Sequence, residues 1–346
     1  MKTMKAIAVT DIGKVEVVDD VPMPEPGEYE ALARIHACGF CNGTDFHIIE
    51  GQLEEKAGFK GFPAILGHEA AGEVVRVGKK VRNIKVGDRY INPMLREEVG
   101  NGYHKTWSGM AEYGLVADKR AMCEDGVPYD PAFEKQGPFP EAIDYIDAGV
   151  LLSLSECQSA AKNFGAGRGM DVLMYGAGPM GIALAMFVKM RGVATLTQID
   201  QDDSRLERAV KTAKADRVIN FATQNLDEAL KGRHFDMVID AVGKSSILIE
   251  GSRRLRPEGT GKVCSLGVLA HDDRMIDASL IKDNTSLHML NFPYGEYDVM
   301  PETADLILKG TVNPKDFYSH VLPFTEIAKV LELVKTRQAI KIVLTF

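Results

Sequence analysis

The 346-residue chain is longer than one ordinary hydrophobic core fills, so two domains are expected. Its composition, 45% hydrophobic and 26% charged, is that of a globular protein, and a net charge of −8 with only scattered basic pairs argues against a nucleic-acid partner. No run approaches the roughly 18 apolar residues of a membrane helix, and the start lacks a signal peptide's apolar core, so a cytoplasmic protein with no membrane association is expected. The five cysteines, an odd number at irregular spacing, do not suggest a disulfide framework.

From Met1 to about Asp125 the chain consists of short β-branched runs broken by glycine (VEVV, ALARI, AGEVVRV, DRYIN, AEYGLV), the pattern of an antiparallel β domain. Within it, Cys41 in GFCNGTDFH precedes His68 and Glu69 in GHEAAGEVVRVGKKVRNIKVGDRY. A thiolate, an imidazole and a carboxylate are the ligand types zinc takes where one position stays open for chemistry. Residues 125–147 are proline-rich and read as an irregular connection, with His104 in a polar loop before it. After Asp147 the period changes. IDAGVLLSLSECQSAAKNF suits one buried helix, and then strands alternate with helices: DVLMYGAG, Pro179–Arg191, ATLTQID, SRLERAVKTAKA, DRVIN, FDMVIDAVG and KVCSLG. Such alternation implies a parallel sheet covered by helices on both faces. The alternation fades near Asn291. An amphipathic helix in VLPFTEIAKVLELVKTRQ and a last strand, IKIVLTF, follow, and one reading returns this tail to the first domain.

Gly176-Ala177-Gly178-Pro179-Met180-Gly181 follows a strand and opens a helix, and Asp200 ends the next strand. In that setting Gly176 permits the tight turn, Gly178 lets backbone approach a pyrophosphate, and Gly181 allows close packing of helix on strand. The helix N-terminus, at Pro179 and Met180, favours the phosphate charge. Asp200 should accept hydrogen bonds from ribose hydroxyls and repel a 2′-phosphate, which favours NAD over NADP. Arg205 is expected on the surface near the adenine.

These motifs together resemble the zinc-dependent medium-chain alcohol dehydrogenases. GHEAAGEVVRVGKKVRNIKVGDR is similar to their zinc signature, GFCNGTDFH to their first-ligand segment, GAGPMG to their cofactor loop and TVNPKDFYSH to their C-terminal region. The resemblance spans nearly the whole chain and is nearest the polyol, sugar and threonine dehydrogenase branch. It implies a GroES-like antiparallel β catalytic domain over 1–153 and 293–346, with a Rossmann doubly wound cofactor domain over 154–292. It also implies NAD-linked hydride transfer to or from a secondary alcohol, and a homo-oligomer, dimer or tetramer. Carried over residue by residue, Cys41 and His68 become zinc ligands and Asp45 orients His68. Thr44 receives the substrate proton, and His47 relays it onward.

Two departures bear on that reading. Asn42 is an extra residue between Cys41 and the Gly-Thr-Asp that usually follows the cysteine closely, which loosens the Thr44–His47 inference. The usual third-ligand position, counted back from Gly176, is Leu152. Three outcomes stay open: Glu156 one turn later reaches the zinc, Glu69 completes the site with water, or the zinc is weakly held. NPMLREEVGNGYHKTWSGM has none of the four cysteines that bind a structural zinc in many relatives, so one catalytic zinc per chain is expected. Cys38 and His36 read as packing residues, and Trp107 and Tyr103 as candidate pocket walls together with Ile48–Phe62 and 93–107. Two rival functions remain open at this level: a zinc-free NAD(P)H reductase of activated double bonds, and a dinucleotide-binding protein without catalysis.

Overall fold

A computed structural model of the chain describes residues 2–52 and 59–346. It divides into two compact units, Met1–Leu152 with Met300–Phe346, and Ser153–Val299. The sequence placed the junctions at 153/154 and 292/293.

In chain order the first unit opens with β1 (Thr3–Asp11), β2 (Lys14–Pro22), β3 (Glu30–Phe40), α1 (Thr44–Ile49), β4 (Ala64–Ile65) and β5 (Ala70–Val77). It continues with β6 (Arg89–Ile91), β7 (Glu98–Gly100), β8 (Tyr103–Lys105), β9 (Tyr113–Ala117), α2 (Lys119–Glu124), β10 (Gly137–Pro138) and α3 (Tyr145–Ala148). The next stretch holds α4 (Leu151–Phe164), β11 (Asp171–Tyr175), α5 (Pro179–Met190), β12 (Thr195–Asp200), α6 (Asp203–Lys211) and β13 (Arg217–Asn220). After these come α7 (Leu226–Ala229), β14 (Met237–Asp240), α8 (Ser245–Arg253), β15 (Gly261–Ser265) and β16 (Thr285–Met289). The chain closes with α9 (Glu296–Leu308), β17 (His320–Pro323), α10 (Ile327–Lys335) and β18 (Ile342–Thr345).

The first unit contains a five-stranded sheet, β2-β1-β4-β8-β7, and a seven-stranded sheet, β10-β6-β5-β3-β18-β17, in which β9 also pairs with β3. Most pairings are antiparallel; β4–β8 and β17–β18 are the parallel exceptions. The tail does return. β18 pairs antiparallel with β3, Ile342 opposite Phe40 and Leu344 opposite Cys38. The core beneath that seam gathers Ile7, Ile35, Phe40, Ile48 and Leu66 with Phe324, Ile327, Ile342 and Leu344 of the tail. Burial of this apolar surface is what holds the terminal segment in place.

The second unit is a six-stranded sheet in the order β13-β12-β11-β14-β15-β16, every pairing parallel. Leu173, Ile199, Ile219, Val238, Leu248 and Val263 form its core. The apolar runs of the two central strands, DVLMY in β11 and MVID in β14, are what a sheet covered on both faces requires.

Three local expectations change. Residues 125–147 are not unstructured. Asp130 caps a 3-10 turn at Pro131–Lys135, and Asp144 caps α3. Buried Gln136 ties this segment to Ala117, Asn92 and Leu115, contacts that no periodicity announces. His104 sits in β8 rather than in a loop. The single helix expected after Asp147 is two, α3 and α4, interrupted at Gly149. A further strand, β16, pairs with β15 although its sequence, TSLHM, shows little alternation.

Candidate functional site

Cys41, His68 and Glu69 present a sulfur, a ring nitrogen and a carboxylate oxygen that all lie within 4.8 Å of one another. The backbone brings them together from two segments. Cys41 follows the end of β3, and Cys38 on that strand lies opposite Ala70 of β5, just past the His68-Glu69 pair. Gly67 sets the entry to that pair with φ of +97, and a Cβ there would meet the Met110 nitrogen at 2.5 Å, so only glycine fits.

The surrounding contacts orient each donor. Asp45, fully buried on α1, accepts a hydrogen bond from the Cys41 backbone N–H at 2.8 Å through Oδ2. Its other oxygen faces His68 Nδ1 at 3.6 Å, and neither atom has a hydrogen-bond partner. The opposite ring nitrogen, Nε2, lies 3.8 Å from Glu69 Oε1. Burial alone would lower the His68 pKa, but Asp45 and the Cys41 sulfur outweigh it and raise the imidazole well above its ordinary value. Burial would likewise raise the Cys41 thiol; the His68 ring beside it wins, and the thiol is lowered.

Lys341 is a contributor that sequence reasoning missed. Its ammonium donates to Glu69 Oε1 at 2.6 Å, and the two side chains are only 6% and 3% exposed. Lys341 immediately precedes β18, so the β3–β18 pairing delivers it. Asn42 donates to the Ile340 carbonyl at 3.1 Å, fastening the same terminal segment beside Cys41. Gly39 completes the arrangement. A Cβ there would stand 2.3 Å from the Gly149 carbonyl and 2.6 Å from Glu69 Oε2. The visible signal for Lys341 is a lysine heading an otherwise apolar strand, IKIVLTF.

The donor set fits zinc. Bonds of about 2.0–2.3 Å in a tetrahedron hold ligand atoms about 3.3–3.8 Å apart, so the cluster is preformed to within about 1 Å. The facing, unpartnered His68 Nδ1 and Asp45 Oδ1 are the pair that would fix the ring once Nε2 is engaged.

Thr44 and His47 open and end the first turn of α1, three residues apart and half-buried. Trp107 places its ring 5.4 Å from that of His68. Tyr103 points elsewhere and donates to Asp20 at 2.5 Å. With His104, Lys60, Arg96 and Glu97 it lines an open cleft of about 750 Å³ that includes none of the three clustered donors. His36 stacks on Tyr145 at 4.2 Å in a packing role. Of the expected pocket wall Ile48–Phe62, residues 53–58 lie outside the described residues. Leu152 is buried at the start of α4, and Glu156 lies one turn further along that helix, in the second unit.

The glycine loop has the strand–turn–helix form. Gly176, φ +97, could carry no side chain without meeting Val242 and Ala241, and a Cβ on Gly181 would lie 2.3 Å from the Gly176 carbonyl. Gly178 has nothing within 4 Å of where a Cβ would be, an open approach of the kind a diphosphate needs. α5 starts at Pro179 with no side-chain cap on its N-terminus, and Met180 follows in its first turn. Asp200 accepts through Oδ2 from the loop N–H of Ala177 at 2.7 Å, and through Oδ1 from the N–H groups of Gln201 at 2.8 Å and Asp202 at 3.1 Å just after it. Arg205 is half-buried on the first turn of α6. Gln198 is a second contributor that sequence reasoning missed, donating to the Gly176 carbonyl at 2.9 Å.

These two units define the class: a GroES-like domain carrying a metal-type cluster, with a Rossmann-like domain carrying a dinucleotide loop. Residues 27–127 match the alcohol dehydrogenase GroES-like domain and residues 179–309 match the zinc-binding dehydrogenase domain. The chain belongs to the zinc-binding medium-chain alcohol dehydrogenase family. Sorbitol dehydrogenase of Ovis aries is 24% identical over 343 residues, covering 94% of this chain and 92% of its own length. Two solved structures share the fold. An alcohol dehydrogenase from E. coli CFT073 complexed with NADH has a TM-score of 0.80 at 23% identity, covering 100% of both chains. A zinc-binding dehydrogenase from Sinorhizobium meliloti 1021 bound to NADP has a TM-score of 0.80 at 22% identity, also covering 100% of both.

Proposed function

We propose that this chain oxidises a secondary alcohol, of the polyol or sugar-alcohol class, with NAD as hydride acceptor and one zinc ion per chain. The observation that carries the reading is the convergence of Cys41, His68 and Glu69 within 4.8 Å. A zinc ion held there supplies Lewis-acid polarisation of the alcohol oxygen. Cys41 and His68 hold it, and Asp45 keeps the His68 ring directed with Nε2 toward the cluster. Glu69 is the favoured third ligand, since its carboxylate lies within 4.8 Å of both the Cys41 sulfur and the His68 ring nitrogen. Glu156 is the alternative.

Thr44 and His47 share one face of α1, at the i, i+3 spacing that makes neighbours on a helix. That supports Thr44 taking the alcohol proton and His47 passing it on. Asp200 supports NAD over NADP, because its carboxylate beside the loop would repel a 2′-phosphate. The similarity to a sorbitol dehydrogenase supports the polyol class. A homo-oligomer is proposed from the family resemblance, with light scattering as its check.

The test is NAD reduction across sugars, polyols and simple alcohols, alongside metal analysis. One zinc per chain, activity restored to chelated protein by zinc, and loss of both zinc and activity in C41A are expected. Metal-free protein that stays active, with C41A unimpaired, refutes the zinc mechanism. A clear preference for NADP refutes the role given to Asp200.

A further inference from the structure

We propose that Gln198 is a positioning residue for the dinucleotide, clamping one peptide plane of the glycine loop; this rests on the dinucleotide reading above. Gln198 lies on β12, an interior strand between β11 and β13, and is fully buried. An interior parallel strand calls for an apolar side chain at such a position. Instead there is a primary amide, and its Oε1 has no hydrogen-bond partner. A buried amide left half-satisfied is unfavourable, so the half that is satisfied should serve some purpose.

That half is the Nε2 bond to the Gly176 carbonyl at 2.9 Å. The Gly176 carbonyl and the Ala177 N–H belong to one planar peptide unit. Gln198 holds the oxygen end, and Asp200 Oδ2 holds the N–H end at 2.7 Å. The Gly176 N–H donates to Ile199 O at 2.8 Å. Three consecutive residues of β12 therefore fix both sides of Gly176 and the amide that follows. The same carbonyl is the atom nearest the missing Cβ of Gly181, at 2.3 Å, so it is held between the strand and the first turn of α5. A rotation of this plane would swing Gly178 and the α5 N-terminus, the groups read as facing the diphosphate. Gln198 touches none of those groups, and it acts through the loop. The signal in the sequence is a glutamine two residues before the acidic end of a strand, in TLTQID.

The test compares the parent chain with Q198M, which keeps the length and flexibility and removes the donor. NADH fluorescence titration should show the dissociation constant raised about three- to tenfold, the worth of one hydrogen bond. KM for NAD should rise alike while kcat at saturating NAD is kept, and the dinucleotide-free melting temperature should stay close to the parent's. Equal NADH affinity in the two proteins overturns the inference alone. Weaker binding that merely follows a matching loss of fold stability overturns it too, as a structural effect. A parent that binds neither NADH nor NADPH overturns the dinucleotide reading and this inference together. If Q198M does not fold, amide exchange on the parent decides: the Ala177 N–H should be protected before NADH is added, and rapid exchange overturns the clamp.

Discussion

Replacing Lys341 by Met would leave the Glu69 carboxylate buried without the ammonium that donates to Oε1 at 2.6 Å. Both side chains are almost wholly out of water, at 6% and 3% exposure. Breaking such a pair by removing one partner costs about 3–5 kcal/mol, far more than an exposed pair is worth. The first unit holds about 200 residues, for which that loss corresponds to a fall of about 6–20 °C in its melting temperature. The assay is urea unfolding of chelator-treated protein followed by fluorescence of Trp107, the chain's only tryptophan and a neighbour of His68. Removing both charges in K341M/E69M should recover most of the loss, because an apolar pair of similar volume replaces the ion pair. A K341M protein within about 1 kcal/mol of the parent, or a double variant as unstable as the sum of the singles, would show that the pair is solvated and refute the reasoning.

Two further outcomes follow from close contacts and from charge. Alanine at Gly181 suits a helix by propensity, but its Cβ would fall 2.3 Å from the Gly176 carbonyl. G181A should therefore stay folded while losing at least about tenfold in NADH affinity by titration, and affinity within twofold of the parent would show that the loop yields. Burial would raise the Asp118 carboxyl, but the N–H groups of Asn83, Arg82 and Ala121 outweigh it and lower its pKa. A depressed folded pKa gives stability that is whole above the ordinary carboxylate value and is lost as pH falls through the folded one. Urea midpoints should fall on that acid limb, and D118N should flatten it at a cost of about 1.5–3 kcal/mol at neutral pH; an unchanged limb would count against the assignment.

Local pattern disclosed the antiparallel β domain, the parallel sheet, the glycine loop and the Cys41–His68–Glu69 grouping, because each rests on periodicity or on short motifs. Contacts made over long separations were hidden. Lys341 meets Glu69 across 272 residues, and nothing in either segment announces the other. Gln198 reads as one polar residue in a strand, and only the fold shows its amide donating to the Gly176 carbonyl. The proline-rich stretch misled because proline marks an interruption without saying what comes next, and Asp130 and Asp144 start ordered turns there. β16 went unseen for a related reason: TSLHM alternates too weakly for an edge strand to stand out.

The seam between β3 and β18 also has a consequence in time. During synthesis the strand leading to Cys41 emerges early, whereas Lys341 and β18 emerge only after the whole second unit. Ser153–Val299 can complete its own parallel sheet while β3 still lacks β18 on one side. The ion pair of Glu69 with Lys341 is thus made after the second unit has been synthesised. A chain clipped or stalled before Ile340 would keep all three clustered donors yet expose an unpaired strand edge beside them.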